Sequence, residues 1–240
     1  MINTELQPDA FKINGVSCET IGAWANTPSV PPMAKQRYTT YQNSSDEDST
    51  VADDTFEDIP YKLVFFTFDA DNYDNSDIYA FFSDAKTLEI SRFPNKYFKI
   101  RQLDIGQPEQ NFNGKKVKYT VNLRLAPFKY SSSNEEITLS NGDIVENKGT
   151  RYARPTIEIA GSGTITLSIN GIEFTVVLAD TGQYVVIDSE RLITYDKTTK
   201  QLIQNGTNGY YPMLPIGESQ ITWSGGTTVY VKIKVNERWL

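Results

Sequence analysis

Alternation with a period of two runs through most of this chain and constrains its fold more than any other feature. In KKVKYTVNLRLAPF, Val117, Tyr119, Val121, Leu123 and Leu125 share one face of an extended strand, while Lys116, Lys118, Thr120, Asn122 and Arg124 share the other. TITLSINGIEFTVVL places Ile165, Leu167 and Ile169 before Asn170-Gly171, and Ile172, Phe174, Val176 and Leu178 after it. Asn-Gly between alternating runs predicts a hairpin closed by a two-residue type I′ turn, because that turn needs positive φ at both positions. TVYVKIKV predicts a further strand with Val229, Val231, Ile233 and Val235 inward. Helical periodicity is confined to DNSDIYAFFSDAK, where Asn75 or Ser76 can cap about two to three turns carrying Ile78, Phe81 and Phe82 as an apolar stripe. The fold class is therefore all-β with one short helix.

What the 240 residues lack narrows the function. There is no histidine, so Ser-His-Asp and Cys-His nucleophile systems are unavailable, as are His-ligated zinc and iron sites. The single cysteine, Cys18, excludes an internal disulfide framework and a Cys-rich zinc site, and it is expected as a small packed side chain. With 23 Lys+Arg against 30 Asp+Glu the net charge is −7, and neither half of the chain is basic. A general binder of nucleic acid or anionic membrane carries the opposite balance. No run of about 18 apolar residues exists to span a membrane as a helix. The N-terminal MINTELQPDAFKING lacks the basic head and apolar run of a secretion signal. The expectation is a protein that is not an enzyme and carries no cofactor.

Two stretches break the alternation. Residues 26–58 are proline-rich first and acidic and serine-rich afterwards. Such a composition buries too little apolar surface to order itself, so it is expected as a flexible arm that needs a partner. KYSSSNEEITLSNGDIVENKGTRY, following Phe128, is polar and turn-rich and marks a boundary near residue 130. Two β-sandwich-like domains result, over 1–130 and 131–240. In GYYPMLPIGESQITWSGG, residues 209–226, Pro212 and Pro215 fix φ and remove backbone donors, so the segment reads as a stiff extended crossover. Gly217 then turns the chain into the strand ESQITW, and Gly225-Gly226 reverses it into the last long strand.

The residues that could carry chemistry each have a simpler role. Asp46, Glu47, Asp48, Asp53, Asp54, Glu57 and Asp58 lack the glycine and terminal glutamate spacing of a calcium loop and read as a solvated, self-repelling loop. In DADNYDNSD, Asp69, Asp71, Asp74 and Asp77 are a ligand-like series, but Tyr73 stands where a third oxygen is needed; turn chemistry and a helix cap explain the run. Asp188 and Glu190, two apart on an expected strand, share a face as a glycosidase pair would. Turn formation by Asp188 and pairing of Glu190 with Arg191 or Lys197 account for them more simply. Trp223 alternates with Thr222 and shares a face with Ile221, which points it into the core.

The order PTIEIAGSGTITLSINGIEFTVVL, VVIDSERLITYD, GYYPMLPIGESQITWSGG resembles the C-terminal galectin-like domain of the distal tail proteins of long-tailed phages. FKINGVSC, DDTFEDIPYKLVFF, DIYAFFSDAKTLEISRFPNKYFKI and VKYTVNLRLAPFKY are similar to that family's N-terminal domain in the same order, so the resemblance covers nearly the whole chain. It departs from the family at Ser219, where asparagine is expected, in a longer acidic loop at 43–58, and in a compact C-terminal half without an inserted carbohydrate-binding module. The resemblance implies a structural hub at the virion tail tip, assembled in the bacterial host cytoplasm. N-terminal domains would build a six-fold homo-oligomeric ring, with galectin-like domains facing outward. The ring would join the tail-tube protein to the tail-associated fibre or lysin protein, with DNA passing through unread. An arm with Pro28, Pro31, Pro32, Met33, Tyr38 and Tyr41 is expected to wrap a neighbouring subunit, its prolines reducing the entropy lost on ordering. An alternative reading makes the C-terminal half a module for a host saccharide, contacted by Tyr210 and Trp223.

Overall fold

The computed structural model describes every residue except 1–6, 8, 27, 43–48, 69–74, 111–115 and 204–206, and every described side chain but those of 53, 54 and 180. Asp46, Glu47, Asp48, Asp69, Asp71, Asp74 and the side chains of Asp53 and Asp54 thus lie outside the described residues. The chain forms two compact units, Met1–Ser132 with Leu240, and Ser133–Trp239. Both are built almost wholly of strands, as the alternation requires.

The first unit contains β1 (Phe11–Ile13), β2 (Gln36–Tyr41), β3 (Ser49–Phe56), β4 (Ile59–Thr67), β5 (Thr87–Ile90), β6 (Lys96–Ile105) and β7 (Val117–Ser131), with helix α1 (Ser76–Ser83) between β4 and β5. Its main sheet runs β1-β5-β6-β7-β4 with antiparallel neighbours, and β2 and β3 form a separate two-stranded sheet. Val117, Tyr119, Val121, Leu123 and Leu125 of β7 are all buried, as their period predicts. Helix α1 lays Ile78 and Phe82 on the same core. Phe65 stacks on Tyr119 at 4.9 Å and on Phe82 at 5.7 Å. Burying each such ring contributes about 2–3 kcal/mol. Asn75 occupies the N-cap position but makes no side-chain cap bond. Its Oδ1 instead accepts from the Tyr119 hydroxyl at 2.7 Å, so the expected cap is diverted to a buried phenol that needs a partner.

The second unit contains β8 (Ile137–Leu139), β9 (Ile144–Asn147), β10 (Thr156–Ile169), β11 (Ile172–Asp188), β12 (Ile193–Asp196), β13 (Thr207–Gly209), β14 (Gly217–Ser224) and β15 (Thr227–Lys234). The order is β8-β15-β10-β11-β12; β14 pairs with both β9 and β10, and β13 with β11. The polar stretch after Phe128 thus supplies two short strands, β8 and β9, besides its turns. Asn170 (φ 49°) and Gly171 (φ 84°) close β10–β11 with both residues left-handed, as the I′ turn demands. Two expectations of inward residues fail. Ile172 is 56% exposed, being the first residue after the turn, and Val229 is 75% exposed. The β10–β15 register passes from Ala160↔Tyr230 to Gly161↔Thr228, leaving Val229 as the extra residue of a bulge. Val231, Ile233 and Val235 are inward as expected.

Candidate functional site

The arm expected to need a partner contains, among its described residues, the paired strands β2 and β3 and a clamped root. Pro28, Pro31 and Ala34 are buried. The Tyr61 hydroxyl donates to the Ser29 carbonyl at 3.1 Å, and Arg92 Nε donates to the Pro28 carbonyl at 3.0 Å. Burial pushes the Tyr61 phenol up, so it stays a donor. Where the root closes, Glu57 N donates to the Lys35 carbonyl, and the Phe56 and Phe128 rings meet edge to face at 5.5 Å. Beyond it β2 and β3 pair from Gln36↔Phe56 to Tyr41↔Ser49, with a register shift before Tyr38. Among the described residues, Tyr38 at 60% and Tyr41 at 56% are exposed on β2, and Met33 at 74% and Pro32 are exposed just before it. Backbone pairing, which composition does not report, joins these two strands.

The crossover of the second unit is held from beneath. Tyr211 packs on Phe174 at 4.9 Å, Pro212 is buried, and Leu214, fully buried, exchanges both backbone bonds with Ala153. Asn147, 1% exposed, donates from Nδ2 to the carbonyls of Arg151, Leu214 and Pro215 and accepts at Oδ1 from Gly149 N. Nothing in the spacing around Asn147 marks it, since its partners lie up to 68 residues away. Tyr210, Met213 and Ile216, three apart, point outward.

Tyr210 and Trp223 do not form one platform. Register places Trp223, Leu167, Phe174 and Gly209 in one row across β14, β10, β11 and β13, three strand spacings or about 14 Å from end to end. Tyr210, next after Gly209, is 81% exposed, while Trp223 is half-buried against the second core. Asn141 brackets Trp223, accepting from its N–H and donating to its carbonyl, both at 2.9 Å.

The carboxylate pair is also dispersed. Asp188 ends β11, and its Oδ1 accepts from the N–H groups of Glu190 and Arg191, both at 3.1 Å. Glu190 therefore sits in the following turn and does not share a strand face with Asp188, and it is Asp188 that meets Arg191, at 3.7 Å. The most constrained carboxylate is one the sequence does not single out. Glu158 is 6% exposed on the side of β10 opposite the core; it accepts from Lys197 at 2.6 and 2.7 Å and from the Tyr230 hydroxyl. Burial pushes its pKa up, but Lys197 and Tyr230 outweigh that and hold the carboxyl below its ordinary value. Burial and the Glu158 charge push Tyr230 up to about 12. An ionised carboxylate so occupied is a clamp and is poorly placed to move protons. Cys18 is buried, its thiol pushed up by burial, so it is not a reactive thiolate. Among the described residues no group of three acidic or cysteine side chains is placed to hold a metal ion, and no helix is long and apolar enough to cross a membrane.

No protein-family model and no curated protein matches the chain. Its fold does match a solved structure, the crystal structure of SPP1 Dit (gp 19.1), described as a paradigm of the hub adsorption apparatus in phages infecting Gram-positive bacteria. The TM-score is 0.58 and the identity 14%, over 96% of this chain and 99% of that one. At that identity the likeness is one of fold, and it spans both units.

Ser219 shows how this chain fills a position where the sequence departs from the resembled family. The residue is 1% exposed, and its Oγ accepts from Asn170 Nδ2 at 3.2 Å. Asn170 Oδ1 in turn accepts from Gln220 N at 3.0 Å. The hydroxyl thereby ties the end of the crossover to the I′ turn of β10–β11.

Proposed function

We propose that this chain is a structural, non-enzymatic hub protein of a phage tail, and that it assembles as a homo-oligomeric ring at the tail tip. The observation that carries the reading is the fold likeness to SPP1 Dit, which extends along both chains nearly end to end. The exposed hairpin supports it: β2–β3 presents Tyr38 and Tyr41 on a root fixed by Tyr61 and Arg92, which suits a projecting contact between subunits better than a catalytic loop. Closed rings use heterologous contacts, in which one patch meets a different patch on the next copy. In this reading the first unit builds the ring, which is six-fold. The second unit is galectin-like and faces outward, and the hub joins the tail-tube protein to the fibre or lysin protein while DNA passes through the channel.

The test is the location of the chain in assembled particles. Antibody labelling of virions carrying a tagged copy is expected to mark the tip of the tail in electron micrographs. Label on capsids, or particles free of the chain, would contradict the proposal. A saccharide role for Tyr210 and Trp223 lacks support from their placement, since Trp223 is on β14 and Tyr210 follows the end of β13, three strands away.

A further inference from the structure

The first unit has a surface cavity of about 310 Å³ bounded by the start of β1, the end of β5 and the loop 91–95 that leads into β6. Five polar side chains line it: Asp9, Lys12, Glu89, Ser91 and Asn95. Asp9 Oδ1 accepts from the Ser17 hydroxyl at 2.7 Å, whereas Oδ2 stands 4.0 Å from Lys12 Nζ, too far for a hydrogen bond. Register sets Lys12 directly opposite Glu89 across β1 and β5, yet among the described residues no ion pair joins them. Lys12 thus stands between two carboxylates and is closely held by neither. Among the described residues the side chains of Glu89, Ser91 and Asn95 form no hydrogen bond or ion pair. The backbone that presents these groups is tied down: Ser91 N donates to the Ala10 carbonyl at 3.0 Å, Phe93 N to the Ile90 carbonyl at 2.9 Å and Lys96 N to the Phe93 carbonyl at 3.2 Å. Asn95 holds a left-handed φ of 63°, which asparagine tolerates better than most residues. A ligand therefore meets polar groups on a loop that binding need not order.

We propose that this cavity binds a neutral saccharide through a single sugar unit. The mixture of charges sets the ligand class. An anion would meet two carboxylates, and a cation would meet Lys12 between them. A hydroxyl both donates and accepts, so one can bridge the 4.0 Å gap between Asp9 and Lys12 while others on the same ring reach Glu89 and Asn95. Phe93 and Pro94 add apolar lining for the C–H faces of a sugar ring, and the volume is at the small end for small-molecule sites. The site shares no residue with the reading built on Tyr210 and Trp223, and it does not depend on the assembly reading.

Saturation-transfer NMR on the full-length protein tests it, with the methyl glycosides of glucose, galactose, rhamnose and N-acetylglucosamine as probes. At least one is expected to bind with a Kd on the order of 1–10 mM. Glu89→Ala and Asn95→Gly, the latter keeping the left-handed backbone, are each expected to weaken that probe at least about tenfold. Far-UV circular dichroism verifies folding, and where Glu89→Ala unfolds the chain, Glu89→Gln is expected to weaken binding in the same direction. Silence from all four glycosides at about 20 mM would overturn the assignment. So would binding kept in both variants and lost in Tyr210→Ala, which would put the sugar on the second unit. Methylammonium binding more tightly than every glycoside would overturn it in favour of a cationic ligand. None of these results alters the mass of the assembled protein, so the ring reading is judged separately.

Discussion

Asn147 shows how much one buried side chain holds in place. Its amide closes the loop before Gly149 and pins the crossover at Leu214 and Pro215. Replacing it with alanine takes this partner from the carbonyls and the N–H it serves, of which the Leu214 carbonyl and the Gly149 N–H are buried. Asn147→Ala is expected to cost about 2–3 kcal/mol, read from the midpoint of urea unfolding. Glu158 adds a dependence on pH. Its folded pKa is depressed, so its clamp contributes stability that is complete above the ordinary carboxylate range and is lost as pH falls through the depressed value. Tyr230, raised to about 12, remains protonated and donating across that window. Glu158→Gln is therefore expected to shrink the difference in unfolding free energy between pH 7 and pH 3. Lys197→Met, which leaves the buried carboxylate with the phenol and only the more distant charge of Lys232, is expected to be more damaging than Glu158→Gln at pH 7. Equal pH profiles for wild type and Glu158→Gln would show that other groups carry the acid dependence.

At the scale of elements, turns and bulges are where the sheets depend on particular residues. Gly171 has positive φ, yet a methyl added there would meet nothing within 4 Å, so Gly171→Ala is expected to cost about 1–2 kcal/mol from backbone strain alone. Gly225 also has positive φ, and a Cβ there would stand 2.5 Å from the Thr164 carbonyl oxygen. Gly225→Ala is expected to cost more than Gly171→Ala in the same denaturant titration, because strain and a backbone clash act together. The contrast between the two glycines was hidden in the sequence. Asn-Gly announced its turn type locally, whereas the close approach at Gly225 depends on β10 passing beside it. The same division runs through the rest of the fold. The alternation of β7 and the I′ hairpin were legible because each is set by neighbours in sequence. The β2–β3 hairpin, the outward Val229 and the Glu158 clamp were not, since pairing register and contacts across 39 and 72 residues decide them. Asn75 misled for a related reason: a cap residue was correctly placed, and a distant phenol took its oxygen.

For the molecule as a whole, each unit has a buried core of its own, and the β2–β3 hairpin leaves Tyr38 and Tyr41 exposed. Tyr38→Ser combined with Tyr41→Ser removes two rings that are mostly exposed on the first unit. The pair is expected to leave the thermal midpoint of the isolated subunit nearly unchanged while weakening assembly, as measured by melting and light scattering on the same samples. The measurement that bears most directly on the proposed role is the mass of the purified full-length protein by native mass spectrometry over a range of concentrations. A hub ring is expected to give a closed species at six times the 27.1 kDa subunit mass that persists on dilution into the micromolar range. A single 27.1 kDa species at every concentration, alone or with tail-tube protein added, would contradict that role.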